Sequence, residues 1–326
     1  MMLSAPHAHE GLTIRSVMFK VNFALAPAAL LGVLQFGMPA LFMMLTCLFS
    51  AVICEVICLK LNPQGSGEAN DGSAILTALL LAMSLPPHAP LWMAALGSMI
   101  AVVFGKQLYG GLGQNLFNPA MLARVVLLIA FPVQMTHWIE PTAFYDGVFY
   151  KMSIDGISGA TTLGHFKESG KLSFDLTQHF LGMSKGSMGE TSAILLALGG
   201  LWLMQQKIFT WHAPLATLLG CLIPGTIHWF LSAGSIATPL AQLTSGGLLL
   251  GAFFIVTDPV TTPSSSKGKL IYGAMTGFLV YIIRSFGNFP EGVAFAVLLM
   301  NAATPLIDNY TRPKAYGYQA RKETQA

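Results

Sequence analysis

The sequence predicts an all-α polytopic membrane protein, with about ten transmembrane helices in two five-helix repeats of inverted topology. Three observations carry that prediction. Of 326 residues, 54% are hydrophobic and only 10% charged, against roughly a quarter charged in a soluble domain. The apolar residues gather into runs bounded by Gly, Pro and charge, and the mean hydropathy is +0.63. Segments of the second half also echo segments of the first.

The first set of runs covers 21–36, 38–60, 72–87, 91–106 and 119–132, and the second covers 192–205, 212–231, 244–257, 269–285 and 291–304. Several fall short of the roughly 20 residues of a straight crossing, so tilted, broken or half-length helices are expected. GSAILTALLLAMSLPPHAP from Gly72 aligns loosely with GGLLLGAFFIVTDPVTTP from Gly246. GLGQNLFNPAMLARVVLL from Gly111 likewise parallels SFGNFPEGVAFAVLLMN from Ser285. Because each set is odd in number, the second copy must enter the membrane from the opposite side. The resulting division is an N-terminal tail (1–20), a first membrane repeat (21–132), a polar loop (133–190), a second membrane repeat (191–304) and a C-terminal tail (305–326).

The first 20 residues are mixed polar and contain Arg15 and Lys20, without a convincing cleavage site, so the first span is expected to be retained. A cytoplasmic N-terminus puts Arg15, Lys20, Lys60, Lys106, Arg124, Lys207, Lys267, Lys269, Arg312, Lys314, Arg321 and Lys322 on or near the inner side. Four lysines (Lys151, Lys167, Lys171 and Lys185) then lie in the long outer loop, and Arg284 alone falls in a short outer one. Both tails are therefore expected in the cytoplasm and the 133–190 loop in the periplasm. The small net charge of +3 is spread over loops and gives no reason to invoke nucleic acid.

All four cysteines (Cys47, Cys54, Cys58 and Cys221) lie in apolar runs and read as packing residues, not as a disulfide framework. Cys54 and Cys58 flank Glu55 at one-turn spacing, half a metal site at most, so no metal is expected. The histidines are scattered singly, and none is assigned a ligand role.

The most distinctive motif is Asp155-Gly156-Ile157-Ser158-Gly159-Ala160-Thr161, inside the polar loop. Together with Gly189-Glu190-Thr191-Ser192, Thr257-Asp258-Pro259-Val260-Thr261-Thr262-Pro263 and Pro305-Leu306-Ile307-Asp308, it resembles the D subunits of Rnf electron-transport complexes. The related B subunits of sodium-translocating NADH:quinone oxidoreductases are the nearest rival, though these usually carry a longer N-terminal extension. In the family, a flavin transferase joins FMN through its phosphate to the last Thr of Asp-x-x-(Ser/Thr)-Gly-Ala-Thr. Asp155, Ser158, Gly159, Ala160 and Thr161 meet every position. The resemblance thus implies FMN held covalently at Thr161, with Thr162 the neighbouring hydroxyl to distinguish from it. The small residues suit that chemistry, since Gly156, Gly159 and Ala160 leave the backbone free to present Thr161. Nothing nearby resembles a nucleophile with its base, which fits modification by another enzyme. Without modification, the segment is a Ser/Gly-rich turn.

The resemblance further implies a relay station in a bacterial inner-membrane complex. Such complexes move electrons between reduced ferredoxin and NAD, coupled to sodium or proton movement. Partners would include a second covalent-flavin subunit and iron–sulfur subunits, because this chain has neither a Gly-x-Gly-x-x-Gly fold nor a cluster-binding cysteine pattern. Its membrane fold would be similar to that of urea transporters.

Two further features need an explanation at membrane depth. Glu55, Arg124, Asp258, Glu291 and Asp308 lie in or at the ends of spans, where ionisable groups are costly unless paired or wetted. Interfacial or salt-bridged roles are the default for them, with Glu55 and Asp258 the candidates for ion coupling. Asn115, Asn118 and Pro119, and Asp258, Pro259 and Thr261, mark broken backbone that must be closed by packed side chains or line a cavity. The resemblance offers a second, non-covalent flavin such as riboflavin as an occupant. Two other readings compete: a small-solute channel, which has the same repeat architecture but no need for the Thr161 motif, and a passive scaffold, which predicts no flavin.

Overall fold

A computed structural model describes residues 13–61, 71–138, 186–190, 193–232, 238–287 and 291–312. The described chain is helical and contains no extended strand. Its principal helices are α1 (Ile14–Phe36), α2 (Met38–Leu61), α3 (Ser73–Ser84), α4 (Leu91–Val103), α5 (Pro119–Ala130), α6 (Ala193–Gln205), α7 (His212–Leu231), α8 (Pro239–Thr244), α9 (Ser266–Phe286) and α10 (Val293–Thr311). Five helical segments are long and apolar enough to cross a membrane: Ile14–Phe36, Met38–Leu61, Leu91–Tyr109, His212–Leu231 and Val293–Thr311. Helices α3, α5 and α6 are apolar but shorter. At 12 residues, α3 spans only about 18 Å, well short of the roughly 30 Å hydrocarbon core, and nearly all of its residues are buried in protein.

Two boundaries differ from the expected ones. Helix α1 begins at Ile14, inside the segment read as a tail, because the Thr13 hydroxyl accepts from the Ser16 N–H at 3.2 Å and caps the first turn. Its polar first turns are tied down by Lys20, which donates to Gln206 at 3.3 Å. At the other end α10 runs on to Thr311, through Pro305. Asp308 on that extension accepts from the N–H and hydroxyl of Ser264, at 3.0 and 3.2 Å.

The eighth apolar run is not one helix. After α8 the chain turns at Ser245–Gly247, with Gly246 at φ +71°, re-enters a helical turn at Leu248–Leu250, widens into a π-helical turn over Gly251–Ile255 and ends at Asp258. Two adjacent glycines withdraw helix propensity at the break. Distant side chains then bond the freed backbone groups.

Packing is closest between α7 and α9, where a Cβ added at Gly277 would fall 2.0 Å from the Thr217 carbonyl oxygen, and one at Gly220 would fall 2.2 Å from that of Ala274. Only glycine permits that approach, the small-residue solution to helix association in lipid. The same partnership recurs in the first half, where α2 lies along α4; α4 then meets α5, as α9 meets α10. Across the two halves, α1 packs on α6 and α5 on α10. Outward faces carry large apolar residues, among them Phe23, Phe49, Ile53, Leu198, Ile223, Ile227 and Phe230, a surface that suits lipid.

The far end of the expected polar loop also joins the core. Residues 186–189 are buried, and Met188, 1% exposed, packs between α1 and α3.

Candidate functional site

Both broken segments singled out in the sequence line one cavity. Asn118 caps α5, its side-chain oxygen accepting from the Met121 N–H at 3.2 Å, and Pro119 follows at the first helical position, where no donor is needed. Asp258 closes the other break by accepting from the Val260 N–H at 3.2 Å and the Thr261 hydroxyl at 3.1 Å. Asn118 and Asp258 line the same cavity, so the two breaks meet there. Thr304 of α10 donates to the Thr261 carbonyl at 3.0 Å and fixes the turn from behind.

The cavity is open on one side; together with the solvent space at its mouth it measures about 830 Å³. Its apolar walls come from Val17 and Met18 of α1, Leu76 and Leu80 of α3, Leu203 of α6, and Phe253 and Phe254 of the π-helical turn. Ser73, Lys106, Asn115, Asn118 and Asp258 supply the polar groups. Asn115 is 7% exposed, and its side-chain oxygen has no partner among the described residues. Wide apolar walls, a few fixed polar groups and an unsatisfied acceptor are the features of a small-molecule site. They fit a ligand with an apolar face that offers an N–H donor.

Lys106 is 1% exposed and pairs with Glu55, which is 2% exposed. Its ammonium also donates to the Ser73 hydroxyl oxygen at 2.5 Å, while the Ser73 N–H donates to Asp71 at 2.7 Å and the Ser73 hydroxyl bonds the same carboxylate. One outer oxygen on each carboxylate, Glu55 Oε2 and Asp71 Oδ2, is buried without a partner among the described residues. Lys106 lines the cavity and Glu55 does not, so the lysine screens Glu55 from it. The two residues expected to couple ions are thus separated: Asp258 faces the cavity, and Glu55 stands behind a cation.

A second charged cluster surrounds the Ser245–Gly247 turn. Arg124 of α5 pairs with Glu291, whose other oxygen accepts from the Gly247 N–H at 2.8 Å. Arg284 donates to the Gln242 carbonyl at 2.6 Å. The topology count set Arg284 in a short outer loop. It instead occupies the last turn of α9 at 4% exposure, because it bonds a carbonyl at the C-terminus of α8. Salt-bridged roles, the default for Glu55, Arg124 and Glu291, are the ones observed.

Asp155, Ser158, Gly159, Ala160 and Thr161 lie outside the described residues. Sequence reasoning missed Lys106 and Asp71 as site residues. The available signal was a lysine directly after an apolar run and an aspartate directly before one, both of which read equally well as interfacial charges. His228, left unassigned, bonds the Tyr281 hydroxyl and stacks on Phe286 at 5.5 Å, a packing role where α7 and α9 end.

Comparison with known proteins agrees with the resemblance. The profile of the NQR2, RnfD, RnfE family matches residues 1–317. A Stutzerimonas stutzeri protein, named as the D subunit of an ion-translocating oxidoreductase complex, is 48% identical, over 95% of this chain and 94% of its own length. Proteins of the same name from Escherichia coli strains IAI39 and SE11 are 43% and 42% identical, each over 97% of this chain and 98% of their own length.

Proposed function

The chain belongs to the NQR2, RnfD, RnfE family, and we propose that it is the electron-carrying D subunit of an Rnf-type ion-translocating oxidoreductase complex. In this reading FMN is joined through its phosphate to Thr161 by a flavin transferase, and riboflavin sits in the cavity between the two broken segments. The complex carries electrons between reduced ferredoxin and NAD, which dock on iron–sulfur and second flavin-bearing subunits, and moves sodium ions or protons. The chain crosses the bacterial inner membrane with both termini in the cytoplasm and the Thr161 loop in the periplasm. The matching partnerships of α2 with α4 and α7 with α9 support two inverted five-span repeats.

The observation that carries the reading is the convergence of Asn115–Pro119 and Thr257–Val260, far apart in sequence, on one cavity. A solute channel has no need of the Asp155–Thr161 motif. A flavin takes up two electrons and releases them singly, which protein side chains do not do readily. The chain's own contribution is position and field. Phe253, Phe254 and Leu80 would hold the ring plane and exclude water, the Asn115 oxygen would accept from a ring N–H, and the Lys106 ammonium would supply positive charge beside the ring.

The test uses membranes of cells that co-express the flavin transferase. Ultraviolet fluorescence of the band on a denaturing gel should vanish in Thr161→Ala and persist in Thr162→Ala. A separate acid extract of the purified chain should release riboflavin from both variants. A dark wild-type band, with the transferase active on a control substrate, refutes the covalent site; an extract without flavin refutes the cavity ligand.

A further inference from the structure

Gly199 and Gly200 stand side by side in the interior of α6, where each weakens the helix relative to alanine. A different contact accounts for each. A Cβ added at Gly199 would fall 2.6 Å from the Ala24 carbonyl oxygen of α1, so that glycine serves the approach of two helix backbones. At Gly200 the obstacle is a side chain: an added Cβ would fall 2.3 Å from Phe253 Cδ1, 2.5 Å from Cγ and 2.8 Å from Cβ. Phe253 is 8% exposed and lines the cavity, as does Leu203, three residues on from Gly200. The ring therefore rests on the bare backbone of α6 and also forms part of the cavity wall.

The backbone that carries Phe253 has little freedom to retreat. Its π-helical turn packs on α7 and α10 as well as on α6, and a Cβ added at Gly251 would fall 2.6 Å from Val293 Cγ1 of α10. A crowded Phe253 thus relieves the clash by swinging its ring, and the open space beside it is the cavity. We infer that Gly200 is a positioning residue of the cavity, holding the Phe253 ring against α6 and out of the volume that the ligand takes. Alanine at this position turns the ring inward, where it competes with the ligand for space. The inference rests on the proposed function for the identity of that ligand, riboflavin.

The test uses the full chain expressed without the flavin transferase, purified in detergent and stripped of flavin, so that quenching of added riboflavin fluorescence reads the cavity. Gly200→Ala should weaken riboflavin binding about tenfold, the size expected when a packed wall is overfilled. In a Phe253→Ala background, where the ring is gone, the same substitution should lose most of its effect. A Gly200 that serves helix packing alone would instead give the same loss with or without the ring. Wild-type affinity in Gly200→Ala, or an equal loss in both backgrounds, overturns the inference. If Gly200→Ala alone does not fold, the double variant is compared directly with Phe253→Ala, and a gap of about tenfold between those two overturns it. Riboflavin left unquenched by the wild-type chain refutes the cavity ligand instead. The role of Gly200 is then read without flavin, from the rate at which a small thiol reagent labels Leu80→Cys on the cavity wall, followed by peptide mass spectrometry. Labelling slowed by Gly200→Ala only while Phe253 is present upholds the role, and equal rates overturn it.

Discussion

Lys106 and Arg124 are both buried cations paired with a carboxylate, but their surroundings differ in sign. The Lys106 cluster holds one cation with Glu55 and Asp71, and Asp258 faces the same cavity, so carboxylates outnumber cations. Around Arg124 the balance is reversed, with Arg284 adding a second guanidinium beside Glu291. The first cluster adjoins the cavity and the second closes a helix break. Residue type follows this division. A lysine ammonium can satisfy a carboxylate and a hydroxyl while keeping a third donor for a cavity, whereas arginine's rigid fork bonds several groups around a turn.

Breaking the Lys106 pair should have the largest effect. Lys106→Met leaves Glu55 buried and unpaired and should cost about 3–5 kcal/mol, read as a fall in thermal unfolding temperature in detergent. Adding Glu55→Gln should recover most of that loss. If the single and double variants unfold alike, the pair is not the stabilising feature. Arg124→Gln should cost less, about 2–3 kcal/mol, because Glu291 keeps the Gly247 N–H and lies closer to the surface. An Arg124 effect larger than that of Lys106 would reverse this order. Asn118→Ala removes a helix cap at the cavity wall, so a loss of about 1–2 kcal/mol is expected, with weaker retention of the riboflavin proposed for the cavity. Asp258→Asn is the mildest, at about 1 kcal/mol or less, since an amide oxygen can still accept from Val260 and Thr261. A flavin content that falls in Asn118→Ala and Asp258→Asn but not in Arg124→Gln would sharpen the contrast between the two clusters.

Much of this was legible in the chain. The positions of the apolar runs, the break before α5 and the irregular end of the eighth run all came from local composition: Asn118-Pro119 is a cap followed by a residue that cannot donate, and Asp258-Pro259 cannot continue a helix. The π-helical turn at Gly251–Ile255 was not legible, because its apolar residues are equally compatible with an α-helix. Nor was the burial of Arg284, since a basic residue at the end of an apolar run normally marks an interface.

The sequence by itself determined that the protein is helical and suited to lipid, where its backbone breaks, and that it carries the Asp155–Thr161 motif. Those features depend on neighbours along the chain. Only the tertiary structure decided that Glu55 meets Lys106 across 51 residues and Arg124 meets Glu291 across 167, and that the two broken segments share one cavity. The physical reason is that charge and backbone polarity at membrane depth must be satisfied, but composition does not say by which residue. That choice is made by helix packing, through contacts as close as that of Gly277 with Thr217, which sets the buried side chains within reach of one another.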